Sequence, residues 1–574
     1  MKTYSKEFED KYKKFTYIIN RNKYPLISMI ILVIIISIIT YFRMKIQMNI
    51  GPIWDTYDFL SNALVFAGQP IGYSDLTRPP LISFLTSVLF RLGYVSVSTI
   101  FFVDGALFIF GVVGLFLLLN LRFNYMESFL GSLIYGTFPI VISFVGFGLS
   151  DIASVSFTIW AFYFMALAVK KNSKYFYLSF PFMMLAFLTR YPSALLIFPA
   201  ALYIFINIRT VEKRDAIIGI GVSLLLLIPV FIFFYKVFGN PLYSFLSFFG
   251  LTSTTISAEN FSYDPNLLYF VEKTPAYIGA QSIAIISIIM LGTILYTINR
   301  LKGDSKLKIN IFNAINIKNK NTRIKLLILM IMTLIFLGTF GKAFYMVSES
   351  LFFAICYIFY SLIKNLNIKD IDLHLLFFAW FMAFFIFHSI FVIKDNRYFV
   401  TMAPAVSYFL IWGLSEIYAK IGFKIRNINV TSYVLSLILI FMILSATASY
   451  LPGIQNKNYK LKIMDENIDL SSQWLMNYDP NYKNKAVYSN AWPYFGWYLK
   501  TDVKMMPLFK DNQTYYGGLK NYNFSQQDII SFNNYLESNN AYYYLSYGIS
   551  LNLTSYQQIK KFGNVIIYEK KSKS

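Results

Sequence analysis

Long apolar runs separated by short polar segments dominate the chain. A helix needs about 17 to 25 apolar residues to cross a hydrocarbon core. About thirteen runs at or near that length occur, near 25–43, 97–119, 129–147, 152–169, 175–189, 192–208, 216–236, 276–298, 325–343, 348–364, 374–393, 398–418 and 432–450. They predict a polytopic all-α membrane domain of about 13 transmembrane helices spanning residues 25–450. The first run follows 24 polar residues with seven Lys and Arg, exceeds the apolar core of a secretory signal and lacks a small-residue cleavage site after it. It reads as a signal anchor behind a cytoplasmic basic tail, residues 1–24.

From Leu451 to Ser574 the pattern changes to polar, tyrosine-rich sequence without long apolar runs. Lys485 to Asn490, Ala541 to Tyr547 and Asn564 to Tyr568 read as strands, and Leu470 to Tyr478 and Ser525 to Ser538 as helices, the second opened by a Ser525-x-x-Asp528 capping pattern. Residues 451–574 are therefore expected to form a small α/β domain, with the Asn490-Ala491-Trp492-Pro493 run ending a strand and facing the membrane domain.

Composition agrees: 56% of the 574 residues are hydrophobic, 14% are charged and the mean hydropathy is +0.52, a balance that no water-soluble surface of this size accommodates. The net charge of +22 invites a nucleic-acid reading, but its distribution does not support one. With the N-terminus inside, the inner segments hold 27 Lys and Arg against about ten in the longer outer loops, which is the positive-inside bias. An odd number of spans then places the C-terminal domain outside, in a multi-pass protein of the cell membrane. Residues 299–325, with eight Lys and Arg, form the most basic inner loop and suit contact with anionic lipid. Cys356 falls within a span, where packing is its expected role, and His374 and His388 supply no metal cluster.

Candidate chemistry concentrates in Gly51 to Leu81, within the first outer loop (residues 44–96). Trp54 to Val65 reads as an amphipathic helix, with Trp54, Phe59 and Leu60 at the lipid interface and Asp55 and Asp58 facing water. Gly68, Pro70, Gly72 and Pro79-Pro80 break the chain into turns after it. On residue types alone this is equally an interfacial helix with solvated acids.

The run Asp55-Thr56-Tyr57-Asp58-Phe59, the Ala63 and Gly68 spacing and the run Arg78-Pro79-Pro80-Leu81 resemble the first-loop signature of GT-C class membrane glycosyltransferases. The similarity is to protein O-mannosyltransferases (dolichyl-phosphate-mannose-protein mannosyltransferases) and lipid A aminoarabinose transferases. Thr56 stands where those families carry the Glu of an Asp-Glu pair, and Arg78 replaces their Lys. Leu188-Thr189-Arg190-Tyr191-Pro192 and Arg397-Tyr398 followed by Pro404 resemble two further family runs.

The resemblance implies transfer of one sugar from a polyprenyl phosphate, such as dolichyl phosphate, to an exterior protein, lipid or glycan acceptor, with inversion. Such a reaction needs a base for the acceptor hydroxyl and positive charge for the leaving phosphate. Asp55 is the candidate base, its pKa expected to be raised by shielding from water. Arg78, Arg190, Lys394, Arg397 and Tyr398 are candidate phosphate ligands. The alternative for Arg78 is snorkelling to lipid head groups, and for Arg190 and Lys394 interfacial anchoring. Asp58 and Asp151 are candidate supporting or substrate-binding residues, although Asp58 could be merely solvated and Asp151 could merely cap its helix. A second outer loop, residues 237–275, with a sequon at Asn260, is a candidate lid. Further sequons lie at Asn512, Asn523 and Asn552. No cofactor is required by this reading, metal dependence is left open, and the partners are donor, acceptor and membrane lipid. An oligosaccharyltransferase fits less well, because that family's Trp-Trp-Asp-Tyr-Gly run is missing. A transporter or flippase of lipid-linked sugar is the rival class, but no internal repeat is visible and the notable charges fall at the ends of spans.

Overall fold

The computed structural model describes residues 23–248, 264–303, 319–366, 368–391, 393–421, 423–425, 428–510, 513–515 and 523–571. All thirteen apolar runs fall largely on helix. Among the described residues, nine helices are long and apolar enough to cross a membrane, from Lys23–Ile50 to Val430–Lys457. The other four runs are shorter or broken: Tyr125–Thr137 continued by Pro139–Phe144, Phe176–Thr189, Tyr191–Ile206, and Ala403–Ile421. Proline explains two of the breaks. Pro139 opens a new helical segment directly after Phe138, and Pro192 sits in the first turn of the 3-10 segment Tyr191–Leu196, a position where its missing N–H costs nothing. These breaks place short backbone segments and helix ends in the interior of the bundle.

The first-loop helix, Trp54–Ala67, begins soon after the end of Lys23–Ile50 and stops at Gly68 in the left-handed conformation (φ 81°). The helix Leu81–Arg91 starts directly after Pro79-Pro80, and Ser83 Oγ donates to the Phe59 carbonyl at 2.9 Å, tying the two together.

The C-terminal domain contains a five-stranded sheet in the order 503–505, 487–489, 543–547, 565–570, 556–562. Its first three strands are parallel and the last two antiparallel. Tyr459–Tyr478 is longer than the helix read from sequence, and Ser525 and Asp528 form the expected reciprocal cap on Gln526–Ser538. The strand Tyr556–Phe562 escapes sequence reading because it is an edge strand, so its Gln-Gln-Ile-Lys-Lys stretch is polar on both faces. Of the sequons, Asn523 and Asn552 are exposed, while Asn260 and Asn512 lie outside the described residues. So do residues 1–22 of the basic tail, 304–318 of the basic inner loop and 249–263 of the candidate lid.

One expectation is overturned. The first-loop helix does not lie at a lipid interface: Phe59 and Leu60 are buried in a hydrophobic core shared with Ile468, Phe495, Val503 and Ile567 of the C-terminal domain. Trp54 packs edge-on against Trp492 at 4.6 Å, and Tyr57 against Tyr494 at 4.6 Å. After the strand Val487–Ser489, the Trp492–Leu499 helix thus lies directly on the first loop. Each fully buried large side chain stabilises such a contact by roughly 1.5–3 kcal/mol, so the loop and the C-terminal domain behave as one packed unit. The cover comes from more than 400 residues downstream, which local periodicity cannot report.

Gly72 sits at this joint. Its φ is 95°, and a Cβ there would lie 2.6 Å from the backbone nitrogen of Asp502. Gly72→Ala is expected to destabilise the protein by about 2 kcal/mol, read as a lower thermal midpoint and faster proteolysis of the C-terminal domain. An unchanged midpoint would contradict the tight joint.

Candidate active site

Helical spacing puts Asp55 and Asp58 one turn apart, and both turn toward Arg78. Arg78 Nη2 donates to Asp55 Oδ1 at 3.1 Å and lies 2.5 Å from Asp58 Oδ2, while its Nε is 3.1 Å from Asp75 Oδ2. The other Asp55 oxygen, Oδ2, accepts from Arg397 Nη1 at 2.8 Å. Arg397 begins on the short 3-10 segment Asn396–Thr401, which Asp395 caps by accepting from the Arg397 backbone N–H at 3.0 Å. Tyr277 and Tyr269 donate to Asn396 Oδ1 at 2.7 and 3.0 Å and hold that segment in place.

Arg190 occupies the break between Phe176–Thr189 and Tyr191–Leu196, in extended conformation, with Nη1 2.6 Å from Asp151 Oδ1. Asp151 lies in the first turn of Ser150–Lys170 but makes no side-chain cap there, so its carboxylate is used on Arg190 instead. The Arg190 and Arg397 guanidiniums lie 5.1 and 5.7 Å from the Tyr398 ring centroid, and His388 stacks on that ring at 4.4 Å. Asp55, Arg78, Asp151, Arg190, Arg397 and Tyr398 all line one cavity of about 320 Å³.

The electrostatics separate the two loop carboxylates. Burial pushes Asp55 up, but Arg78 and Arg397 outweigh it and hold its pKa at about 2, so Asp55 is a carboxylate. Burial pushes Asp58 up to about 7: Arg78 only partly offsets it, and Asp75 and Asp55 add repulsion. The shielding expected to raise Asp55 therefore acts on Asp58, because Asp55 alone is shared by two guanidiniums. For Arg397, burial disfavours the charge, yet Asp151, Asp55 and Asp395 raise its pKa above the ordinary value.

Residues 77–233 match the family model described as dolichyl-phosphate-mannose-protein mannosyltransferase. Comparison with curated proteins gives no match. Among solved structures, ArnT from Cupriavidus metallidurans bound to undecaprenyl phosphate aligns with TM-score 0.54 at 11% identity, covering 95% of this chain and 98% of that one. The same protein in the apo state gives 0.52 at 12% identity, over 94% and 97%. The Archaeoglobus fulgidus oligosaccharyltransferase in complex with Zn and sulfate gives 0.51 at 13% identity, over 89% and 67%. This chain has the GT-C fold.

The family-model match to this GT-C chain opens at Thr77, just before Arg78-Pro79-Pro80, and includes Asp151 and Arg190; Asp55 and Arg397 lie beyond it. Thr56, which the sequence resemblance sets against a Glu, is buried and donates from Oγ1 to the Phe147 carbonyl at 3.1 Å. A Cβ on Gly148 would approach its methyl carbon to 2.9 Å. The space beside Thr56 is therefore filled by packing, and Asp55 is the acid in the first turn of the helix.

Two of the sequence-selected residues do not reach the cavity wall. Lys394, expected as a phosphate ligand, is buried and its Nζ donates to the carbonyls of His388, Ser389 and Phe391 at 2.6–2.7 Å. It satisfies acceptors at the end of Ile371–Ile390, and burial lowers its pKa to about 8. Asp58 lies behind Arg78, accepting from the Tyr73 hydroxyl, and is not solvated. Sequence reading gave no role to Ser150 or Tyr191 and missed the Ser244, Ser247 and Phe248 face of Tyr243–Phe248. That helix lies in the segment expected to be the second outer loop, and nothing in its composition marks it as lining a polar cavity.

A test follows from Asp58. Its carboxyl holds a proton more tightly folded (about 7) than at the ordinary value of 3.8, so the stability it contributes is present at low pH and is lost as pH rises through about 4 to 7. Thermal midpoints measured from pH 5 to 8 are expected to fall less steeply in Asp58→Asn than in the wild type. Parallel slopes would contradict the assignment.

Proposed function

We propose that this GT-C protein transfers a single sugar from a polyprenyl phosphate donor to an acceptor hydroxyl on the exterior face, inverting the anomeric carbon. The observation that carries the proposal is the Asp55 carboxylate bridging Arg78 and Arg397 on the wall of a cavity that also holds Arg190. In this reading Arg78, Arg190 and Arg397 bind the phosphate, whose oxygens match the guanidinium fork. Tyr398 orients Arg190 and Arg397 across its ring face. Lys394 acts only by holding the segment that carries Arg397.

The acceptor oxygen attacks the anomeric carbon, and the bond from that carbon to the phosphate oxygen breaks. The electron pair leaves with polyprenyl phosphate, stabilised by the arginines, and the hydroxyl proton passes to Asp55. A carboxylate held at about 2 is a weak base. A phosphate that draws Arg78 and Arg397 to itself removes the charges that hold Asp55 down, so its pKa rises as the donor binds. Donor binding thereby arms the base.

An apolar groove of about 550 Å³, lined by Phe66, Pro80, Phe84, Leu188, Pro229 and Phe233, begins beside the Pro79-Pro80 end of the cavity and suits an isoprenoid chain. The undecaprenyl phosphate carried by the Cupriavidus ArnT structure supports a donor of this class. The distribution of Lys and Arg supports a cytoplasmic N-terminus and an exterior C-terminal domain. The Ser244 to Phe248 face at the cavity supports the second outer loop as a lid.

The test is transfer of radiolabelled sugar from a panel of polyprenyl phosphate sugars by purified protein in detergent. Wild type is expected to consume one donor. Asp55→Asn is expected to lose on the order of 100-fold or more in rate, and Arg78→Ala and Arg397→Ala to weaken donor use and, because each leaves carboxylates unpaired, to lower the thermal midpoint as well. Full activity of Asp55→Asn would remove the base. Binding of polyprenyl phosphate without consumption of any donor would favour a carrier or flippase.

A further inference from the structure

On the far side of the first-loop helix from the arginines lies a second polar cluster, formed with the C-terminal domain. Tyr57 follows Asp55 by two residues, a rotation of about 200° around the helix, so the two side chains leave on nearly opposite faces. The Tyr57 hydroxyl donates to Asp465 Oδ1 at 2.5 Å, the Tyr498 hydroxyl donates to Asp465 Oδ2 at 2.9 Å, and the two phenol oxygens are 3.0 Å apart. Tyr57 is fully buried against Tyr494 and Trp497. The backbone closes over the carboxylate as well. Gly51, at φ 90°, comes so near that a Cβ would lie 2.5 Å from Asp465 Oδ2.

We propose that Asp465 is a positioning residue for the transfer reaction: by gripping Tyr57 it fixes the rotation of the first-loop helix and hence the placement of Asp55 between Arg78 and Arg397. The inference rests on the proposed function for its link to catalysis. The lever is short. The helix is held by Asp465 and Tyr498 on one face and by Arg78 and Arg397 on the other, and a 10° rotation about its axis displaces a carboxylate at its surface by about 1 Å, a misplacement large enough to cost on the order of 100-fold in rate. Burial raises the Asp465 pKa to about 6, with Tyr57 and Tyr498 working against the rise, in a joint where the carboxylate itself is half-buried. It is a site that composition could not mark, since Asp465 stands among other acids, Glu466 and Asp469, on the same polar helix.

The test compares Asp465→Asn, Tyr57→Phe and the double variant with the wild type, and Glu466→Gln as a control on the exposed face of the same helix. Three quantities are read: kcat and donor KM for transfer, the thermal midpoint, and amide hydrogen exchange across residues 54–67. The expected result is a fall in kcat of tenfold or more in each single variant, with donor KM changed by less than twofold, a midpoint near wild type and faster exchange confined to 54–67. The double variant should fall no further than the worse single one, because both remove the same contact. Unchanged kcat and exchange, multiplicative effects in the double variant, or KM and midpoint moving together with kcat would overturn the proposal. If the wild type transfers no sugar, the functional reading fails, while exchange at 54–67 still decides whether Asp465 governs the helix: unchanged exchange there overturns it.

Discussion

A single carboxylate shared by two arginines organises this molecule. Asp55 offers one oxygen to Arg78 and the other to Arg397, partners that lie 23 and 342 residues along the chain from it. Charges this little exposed are costly unless paired. That requirement brings the first loop, the Pro79-Pro80 turn and the segment before the helix Ala403–Ile421 to one place. Asp151 and Arg190 form a further ion pair on the wall of the same cavity, so cations and anions are paired around that space.

Two helices are broken beside the cavity. A continuous span presents side chains to its neighbours at fixed intervals, whereas the break at Pro192 and the 3-10 turns at 191–196 and 396–401 present Arg190 and Arg397 to the cavity from backbone that is not regular α-helix. Behind the loop, the C-terminal domain acts as a buttress. Its Trp492–Leu499 helix and Asp465 cover the face of the first-loop helix that would otherwise meet water or lipid.

Much of this was legible in the chain. Apolar run length marked the helices, and the resemblance of the runs around Arg78, Arg190 and Arg397 to GT-C motifs marked those three arginines. What stayed hidden depends on distance in sequence or on side-chain freedom. Trp54 and Phe59 look like interfacial residues until a domain more than 400 residues away covers them. Lys394 and Arg397 look alike as outward cations, but the flexible lysine stem folds back on three carbonyls while the arginine reaches Asp55. The reversal between Asp55 and Asp58, with the inner acid raised and the outer one lowered, follows from which of them has two cationic partners, and no spacing rule encodes that.

If Asp55 and the donor phosphate share Arg78 and Arg397, the carboxylate competes with the phosphate for those guanidiniums. The most direct measurement is the affinity of polyprenyl phosphate for purified wild type and for Asp55→Asn. The account predicts that Asp55→Asn binds the lipid phosphate more tightly than the wild type, while an Arg397→Ala change weakens binding in either background. Equal or weaker binding by Asp55→Asn would contradict it, and the phosphate would have to be held elsewhere.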